Sequence, residues 1–293
     1  MDGPAQGVEA TGLGGAPGLL SVVVCLREPG RGVRLRRHYA RTAGCAHECV
    51  FVDNGAHQYG LCAAYNEGVR RARGEVIAFV HDDVRFLESG WGARLLGMFA
   101  DDETLGLVGV AGGQVLAKVA PWWPGLWDSF AVSRVFHEYG SRRFPRIGRF
   151  RRRWVAFRNP IPEERLRMEA VTVDGVFMAV RASLFDHVRF DDVTFTGFHM
   201  YDADLCMQVR RTHRILVVPD LFLKHHYRTK PAAMVLFRRD IRRFLDKYRD
   251  ELPVASVPWD VVRAKLSTGS ENERLMLRHI ESELAEKASR PSS

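Results

Sequence analysis

The sequence predicts an α/β fold, a mostly parallel Rossmann-like sheet flanked by helices, with a helical C-terminal appendage. Three observations predict it. Residues 19–25, 49–52 and 76–80 are short, β-branched apolar runs without polar alternation, the pattern of strands buried on both faces. Between the second and third, residues 60–73 have helical spacing, with Leu61, Ala64 and Val69 apolar, Arg70, Arg71 and Arg73 along the polar side, and Gly74 as the stop. The second and third runs also end in acids: Asp53-Asn-Gly55 after one, His81-Asp82-Asp83 after the other. Strand–helix–strand order favours parallel pairing, and open α/β sheets bind ligands outside the carboxyl ends of their strands.

The remaining elements follow in chain order. Arg27, Glu28, Pro29 and Gly30 form the loop after the first strand. A helix is expected over 92–99 and a strand over 105–110. From 122 to 168 the pattern loosens into tryptophans, prolines and arginines, including Arg151-Arg-Arg153. Residues 171–180 read as a strand pair or one strand broken at Gly175, 202–213 as a helix, and 215–218 as a strand running to Pro219-Asp220. After Pro231, Met234, Phe237, Ile241, Phe244, Leu245 and Tyr248 share one helical face ringed by arginines, and Pro253 ends that helix. A polar helix over 271–287 closes the chain. The expected organisation is a flexible Gly/Ala/Pro-rich leader at 1–18, an α/β domain at 19–230 with an insertion at 122–168, and a helical extension at 231–293.

Composition narrows the function classes. The chain has 293 residues, an ordinary apolar share of 46% and a formal charge of +8, enough to bury a core and too moderate to demand a nucleic-acid partner. No run reaches the roughly 18 apolar residues that span a bilayer, and residues 1–18 lack a basic n-region with a long apolar core. Five scattered cysteines suit reduced thiols in the cytoplasm. The Cys45-Ala-His47-Glu-Cys49 cluster lacks a second ligand pair for zinc.

Adjacent carboxylates at the end of a buried strand are poor packing but a good place to hold a divalent cation, because carboxylate oxygens suit Mg²⁺ and Mn²⁺. Asp202 and Asp204 open a helix whose dipole favours the ionised state; a plain N-cap is the alternative for Asp202. His225 follows a late strand. In order and spacing, these pieces resemble the family-two-like glycosyltransferases of the GT-A fold over roughly 19–227. Val52-Asp-Asn54 is similar to the second-strand aspartate that contacts the nucleotide base, and Ala64-Tyr-Asn66-Glu-Gly68 to the Asn-x-Gly helix signature. Phe79-Val-His-Asp-Asp-Val84 resembles the DxD metal motif in its His-x-Asp-Val form. Gly197-Phe-His-Met-Tyr-Asp-Ala-Asp-Leu-Cys206 resembles the acceptor motif, with His225 at the usual distance beyond it.

The resemblance implies a metal-dependent, inverting, hexosyltransferase-type enzyme that moves a sugar from a UDP-, GDP- or dTDP-linked donor to an acceptor hydroxyl. It implies Asp202 as general base, Asp83 with His225 as ligands of Mn²⁺ or Mg²⁺, and Asp53, Asn54, Asn66, His81, Asp82 and Arg27 on the donor side. Asp174, Gly175, Tyr201 and Asp204 fall on the acceptor side. Two residues depart from the common pattern. His81 stands where the first Asp of DxD usually sits, and is open between ribose contact, metal contact and structural support; an imidazole there tilts the metal toward manganese. Tyr201 stands where a Glu precedes the base.

The segment 142–167 interleaves arginines with Phe144, Phe150, Trp154 and Phe157. It suits an acidic glycan, a lipid-linked diphosphate, an acidic membrane or nucleic acid, or else is a solvated loop over the site; acceptor binding is favoured over nucleic acid. The basic helix at 234–248 either lies on a membrane as a peripheral contact or docks on the catalytic domain. The competing functions are a degenerate GT-A domain that binds a polyanion, and a nucleotidyltransferase. The latter fits poorly because residues 27–31 lack a Gly-rich basic loop.

Overall fold

The computed structural model describes residues 15–121, 130–133, 135–138, 154–155, 167–218, 221–226 and 233–290. Its main sheet is built from β1 (Ala16–Leu26), β2 (His47–Asp53), β3 (Gly74–Val80), β5 (Leu105–Gly109), β11 (Met168–Glu169), β13 (Phe177–Arg181) and β14 (Arg214–Val217). The strand order is β11-β14-β5-β13-β3-β1-β2. β1 runs parallel to both β2 and β3, and β14 parallel to β5, while β13 lies antiparallel between β3 and β5. The fold is therefore α/β with a mixed, mostly parallel sheet.

Helices cover both faces because the central strands have two apolar faces. Val22, Val24, Val76 and Ala78 meet Leu35 and Tyr39 of α1 (Arg31–Thr42) and Trp91, Leu95 and Phe99 of α3 (Trp91–Asp101). Val23, Ile77 and Phe79 point the other way, toward Leu61, Ala64 and Tyr65 of α2 (Leu61–Arg71) and Leu205 and Met207 of α4 (Tyr201–Val209). The helix α1 is absent from the sequence reading. Its three apolar or small core-facing residues are diluted by arginines, so only burial of Gly32, Leu35 and Tyr39 reveals the amphipathic face. Gly68 lets α2 lie close on the sheet, since a Cβ there would come within 2.2 Å of Val23 Cγ1.

A second sheet brings distant residues to the end of β3. Its order is β10-β9-β15-β4, from β4 (Val84–Phe86), β9 (Val135–Glu138), β10 (Trp154–Val155) and β15 (Leu223–His225). β15 pairs antiparallel with β4, setting His225 opposite Val84, and the His226 amide donates to the Asp83 carbonyl at 3.1 Å. These three-residue strands are too short to show a period.

The helix α5 (Ala233–Lys247) docks on the α/β core as an extra layer, with Phe244 and, just past its end, Tyr248 buried and Phe237, Ile241 and Leu245 packed against the α2–α4 side. The last helices, α6 (Trp259–Ser267) and α7 (Glu271–Ala288), form a smaller core with Val115, Ala117, Ala120 and Phe130. A Ser270–Glu273 capping box starts α7. Among the described residues no helix is long and apolar enough to cross a membrane. The first strand starts at Ala16, inside the stretch expected as a leader, and the Ala16 amide donates to the Arg73 carbonyl at 2.7 Å. Most of the 122–168 insertion, its Arg151-Arg-Arg153 run included, and Pro219-Asp220 lie outside the described residues.

Candidate active site

The end of β3 is fixed from three directions. From the loop after β1, the Arg27 amide and Nε donate to Asp82 at 3.0 and 2.9 Å, and Arg27 Nη2 donates to Asp83 Oδ2 at 2.7 Å. From the second sheet, His225 Nε2 lies 3.3 Å from Asp83 Oδ1. From the break between β12 (Thr172–Val173) and β13, the Val176 carbonyl accepts from the His81 amide at 3.3 Å.

One ligand atom each from His81, Asp83 and His225 lies within 4.8 Å of the other two. Burial opposes the Asp83 charge, but its hydrogen bond to His225, the attraction of His225 and His81 in the acid range where the carboxyl titrates, and Arg27 outweigh it and hold the carboxyl well below its usual range. Burial, followed by repulsion from His225, pushes His81 down to about 4, so its imidazole is neutral at physiological pH. An ionised carboxylate and a neutral imidazole are the states a cation requires of its ligands. With two imidazoles in the N₂O donor set, a first-row transition ion, Mn²⁺ included, is accommodated better than Mg²⁺, which takes nitrogen ligands poorly.

Asp202 lies across the 174–176 break from this group. Its Oδ2 accepts from the Gly175 amide and its Oδ1 from its neighbour Ala203, both at 2.9 Å, and it is only 8% exposed. Burial, then the nearby Asp174 charge, raises its pKa to about 7 against the backbone amides of Ala203, Gly175 and Asp202 itself, which lower it. A carboxyl tuned to neutrality and fixed by two amides is suited to accept a proton. The residue before this helix start, Met200, has φ +62°, a left-handed conformation that costs a non-glycine residue about 1–3 kcal/mol and is stored most often at functional sites.

Tyr201, the departure from the acceptor pattern, is buried, and its hydroxyl lies 2.9 Å from His81 Nε2. Gly175 makes room for it: a Cβ there would come within 2.0 Å of the hydroxyl oxygen and 2.3 Å of Cζ. The glycine of the break therefore makes room for Tyr201. Gly175→Ala is expected to destabilise the fold by about 1–3 kcal/mol through overpacking, measured by urea denaturation, and Tyr201→Phe should not rescue it because Cζ remains.

The other candidates each hold contacts of their own. Asp204 is fully buried and faces the C-terminal helix layer, where it accepts from Lys247 Nζ at 2.6 Å, Tyr248 Oη at 2.7 Å and Gln208 Nε2 at 2.8 Å. Asn66 exchanges hydrogen bonds with the Phe190 backbone, at 2.8 Å to the carbonyl and 3.2 Å from the amide. Asn54 is buried and clasps the Tyr59 backbone at 2.9 and 3.0 Å. Asp82 is enclosed and engaged by Arg27. Asp174 Oδ1 accepts from the Val176 amide at 2.8 Å, shaping the break. Asp53 instead lines an open cleft of about 750 Å³ with Arg27, Arg34 and Gln58, at the carboxyl ends of β1 and β2.

Sequence reasoning missed Arg31, whose Nη1 lies 3.6 Å from Asp82, and Lys247 as the partner of Asp204. Arg31 is the first residue of α1, the helix missing from the sequence reading; Lys247 is 43 residues from Asp204 and gave no local signal. Lys247→Met is expected to cost about 2 kcal/mol by urea denaturation, because it strands a buried carboxylate; partial exposure of the lysine moderates the loss.

A family model described as a glycosyltransferase like family matches residues 31–234. The chain belongs to this glycosyltransferase-like family. The match spans β3, the 174–176 break, α4 and His225. No curated protein matches the sequence. Among solved structures, the chain is similar to GalNAc-T7 with UDP, GalNAc and Mn²⁺, at a TM-score of 0.51 and 13% identity, covering 91% of this chain and 54% of that one. It is also similar to the mannosyltransferase PcManGT from Pyrobaculum calidifontis in complex with GDP-Man and Mn²⁺, at 0.49 and 13%, covering 97% and 79%. The first likeness shows the GT-A fold; this chain spans about half the length of that relative.

Proposed function

We propose that the protein is a metal-dependent, inverting glycosyltransferase of the hexosyltransferase type, moving a sugar from a nucleoside-diphosphate donor to an acceptor hydroxyl. The observation that carries the proposal is the 174–176 break, which links a carboxyl tuned to about 7 on one side to the His81, Asp83 and His225 group on the other. The donor's nucleoside fits the open cleft beside Asp53, and Arg27 lies between that cleft and Asp83, where a diphosphate carries its charge.

His81, Asp83 and His225 would hold the cation. When bound, it stabilises the negative charge developing on the departing nucleoside diphosphate. Asp202 takes the proton of the acceptor hydroxyl as the oxygen attacks the anomeric carbon, and the Gly175 and Ala203 amides keep its carboxylate aimed. A base on the face opposite the leaving group gives inversion. GalNAc-T7, which shares the fold, was solved with UDP and Mn²⁺, and this supports Mn²⁺ and a nucleotide donor here.

A thermal-shift screen of UDP-, GDP- and dTDP-sugars and their nucleoside diphosphates, with and without Mn²⁺, tests the donor half of this reading. A ligand at 100 times its Kd is expected to add about 2.7 kcal/mol of stability. The account predicts a Mn²⁺-dependent shift with one base. A folded sample that responds to none of them supports a polyanion-binding domain instead.

A further inference from the structure

The two residues that depart from the family pattern touch each other. His81 takes the place of a carboxylate at the end of β3, and Tyr201 the place of a carboxylate at the start of α4; the His81 Nε2 and Tyr201 Oη atoms are 2.9 Å apart. Each replacement is costly alone. A buried phenol hydroxyl needs a partner, and an imidazole, unlike a carboxylate, ligates only through a nitrogen whose proton has been sent elsewhere. Together they satisfy both needs. Gly175 completes the arrangement, since any side chain there would occupy the space of the Tyr201 hydroxyl.

We propose that Tyr201 is a positioning residue for the cation site. Its hydroxyl oxygen accepts the Nε2 proton of His81, which fixes the tautomer and leaves the Nδ1 lone pair for a divalent cation shared with Asp83 and His225. A histidine that binds a metal almost always donates its other N–H to such a partner. Because Tyr201 immediately precedes Asp202, the same hydrogen bond ties the start of the base-bearing helix to the cation site. The aromatic ring has its own support, packing edge-on against Tyr65 with centroids 5.7 Å apart, so the hydroxyl can be removed without emptying the cavity. This inference rests on the metal-dependent reading above.

The test is Mn²⁺ binding itself, followed by loss of the free-ion electron paramagnetic resonance signal and by calorimetry, in wild type, Tyr201→Phe, His81→Asp and the double variant. Tyr201→Phe is expected to weaken Mn²⁺ about 10- to 100-fold, the usual effect of removing a partner behind a ligand, with its Tm close to wild type. An Asp at position 81 has no tautomer to fix, so the Phe substitution should have no effect in the His81→Asp background. Equal Mn²⁺ affinity in wild type and Tyr201→Phe would overturn the proposal. So would an equal loss in both backgrounds, which would mark the hydroxyl as a general packing element. A wild-type protein that binds no Mn²⁺ would overturn this assignment and the metal-dependent reading together, whereas binding indifferent to the hydroxyl overturns this assignment alone.

Discussion

Asp202→Asn protein is expected to retain Mn²⁺-dependent donor binding while transferring sugar about 10²- to 10⁴-fold more slowly, the usual contribution of a general base. The asparagine keeps the size of the side chain and an oxygen for one of the two amides at Gly175 and Ala203, but it cannot take a proton. Activity of the wild type should rise with pH through an ascending limb at or below about 7, because burial and Asp174 hold the carboxyl protonated below that point, while a bound cation would act in the opposite sense and move the limb down.

The same shift has a consequence for stability. In the unfolded chain Asp202 releases its proton near 3.8, in the folded protein only near 7. Between those values the folded state binds the extra proton, so the contribution of this group to stability falls as pH rises from about 4 through 7 and then levels off. The full difference is on the order of 4 kcal/mol. Wild type should therefore lose stability relative to Asp202→Asn between pH 5 and pH 8, and a difference in Tm that did not change over that range would contradict the buried, raised carboxyl.

Asp83→Ala is expected to remove the Mn²⁺-dependent part of donor binding altogether. Asp83 is the one carboxylate of the candidate ligand group, and the two histidines alone offer no negative charge to offset a dication. The stabilisation of about 2.7 kcal/mol expected of the wild type with Mn²⁺ and donor at 100 times its Kd should vanish in this variant. Its loss also releases Arg27 from one of its two carboxylate partners, so weak, metal-independent binding of a free nucleoside diphosphate is expected to survive. Retention of a full Mn²⁺-dependent shift would move the metal away from Asp83.

Much of the sheet was legible because its central strands are buried on both faces. Residues 76–80 carry no polar residue, and the sudden His81-Asp82-Asp83 at their end announced a site before any tertiary information. The break at Gly175 was legible as a break, but its purpose was not, because the atom that needs the space belongs to Tyr201, 26 residues on. The Arg27 contact with Asp82 spans 55 residues, and the pairing that delivers His225 joins two strands of three residues each. Neither leaves a periodic trace. Asp204 shows the opposite limit: its motif position suggested substrate contact, whereas its surroundings, Lys247, Tyr248 and Gln208, are those of a buried anchor between α4 and the C-terminal helix layer.

The central claim is that this chain cleaves a nucleotide sugar at a cation site served by Asp202. The most direct measurement is release of nucleoside diphosphate from a panel of UDP-, GDP- and dTDP-hexoses, with water standing in for the acceptor, in Mn²⁺ and in EDTA, for wild type and Asp202→Asn. The account predicts consumption of one donor by wild type in Mn²⁺, none in EDTA, and a rate reduced at least about 10²-fold in Asp202→Asn. Release that is unchanged in EDTA or in Asp202→Asn, or no release from any donor by folded protein, would contradict it.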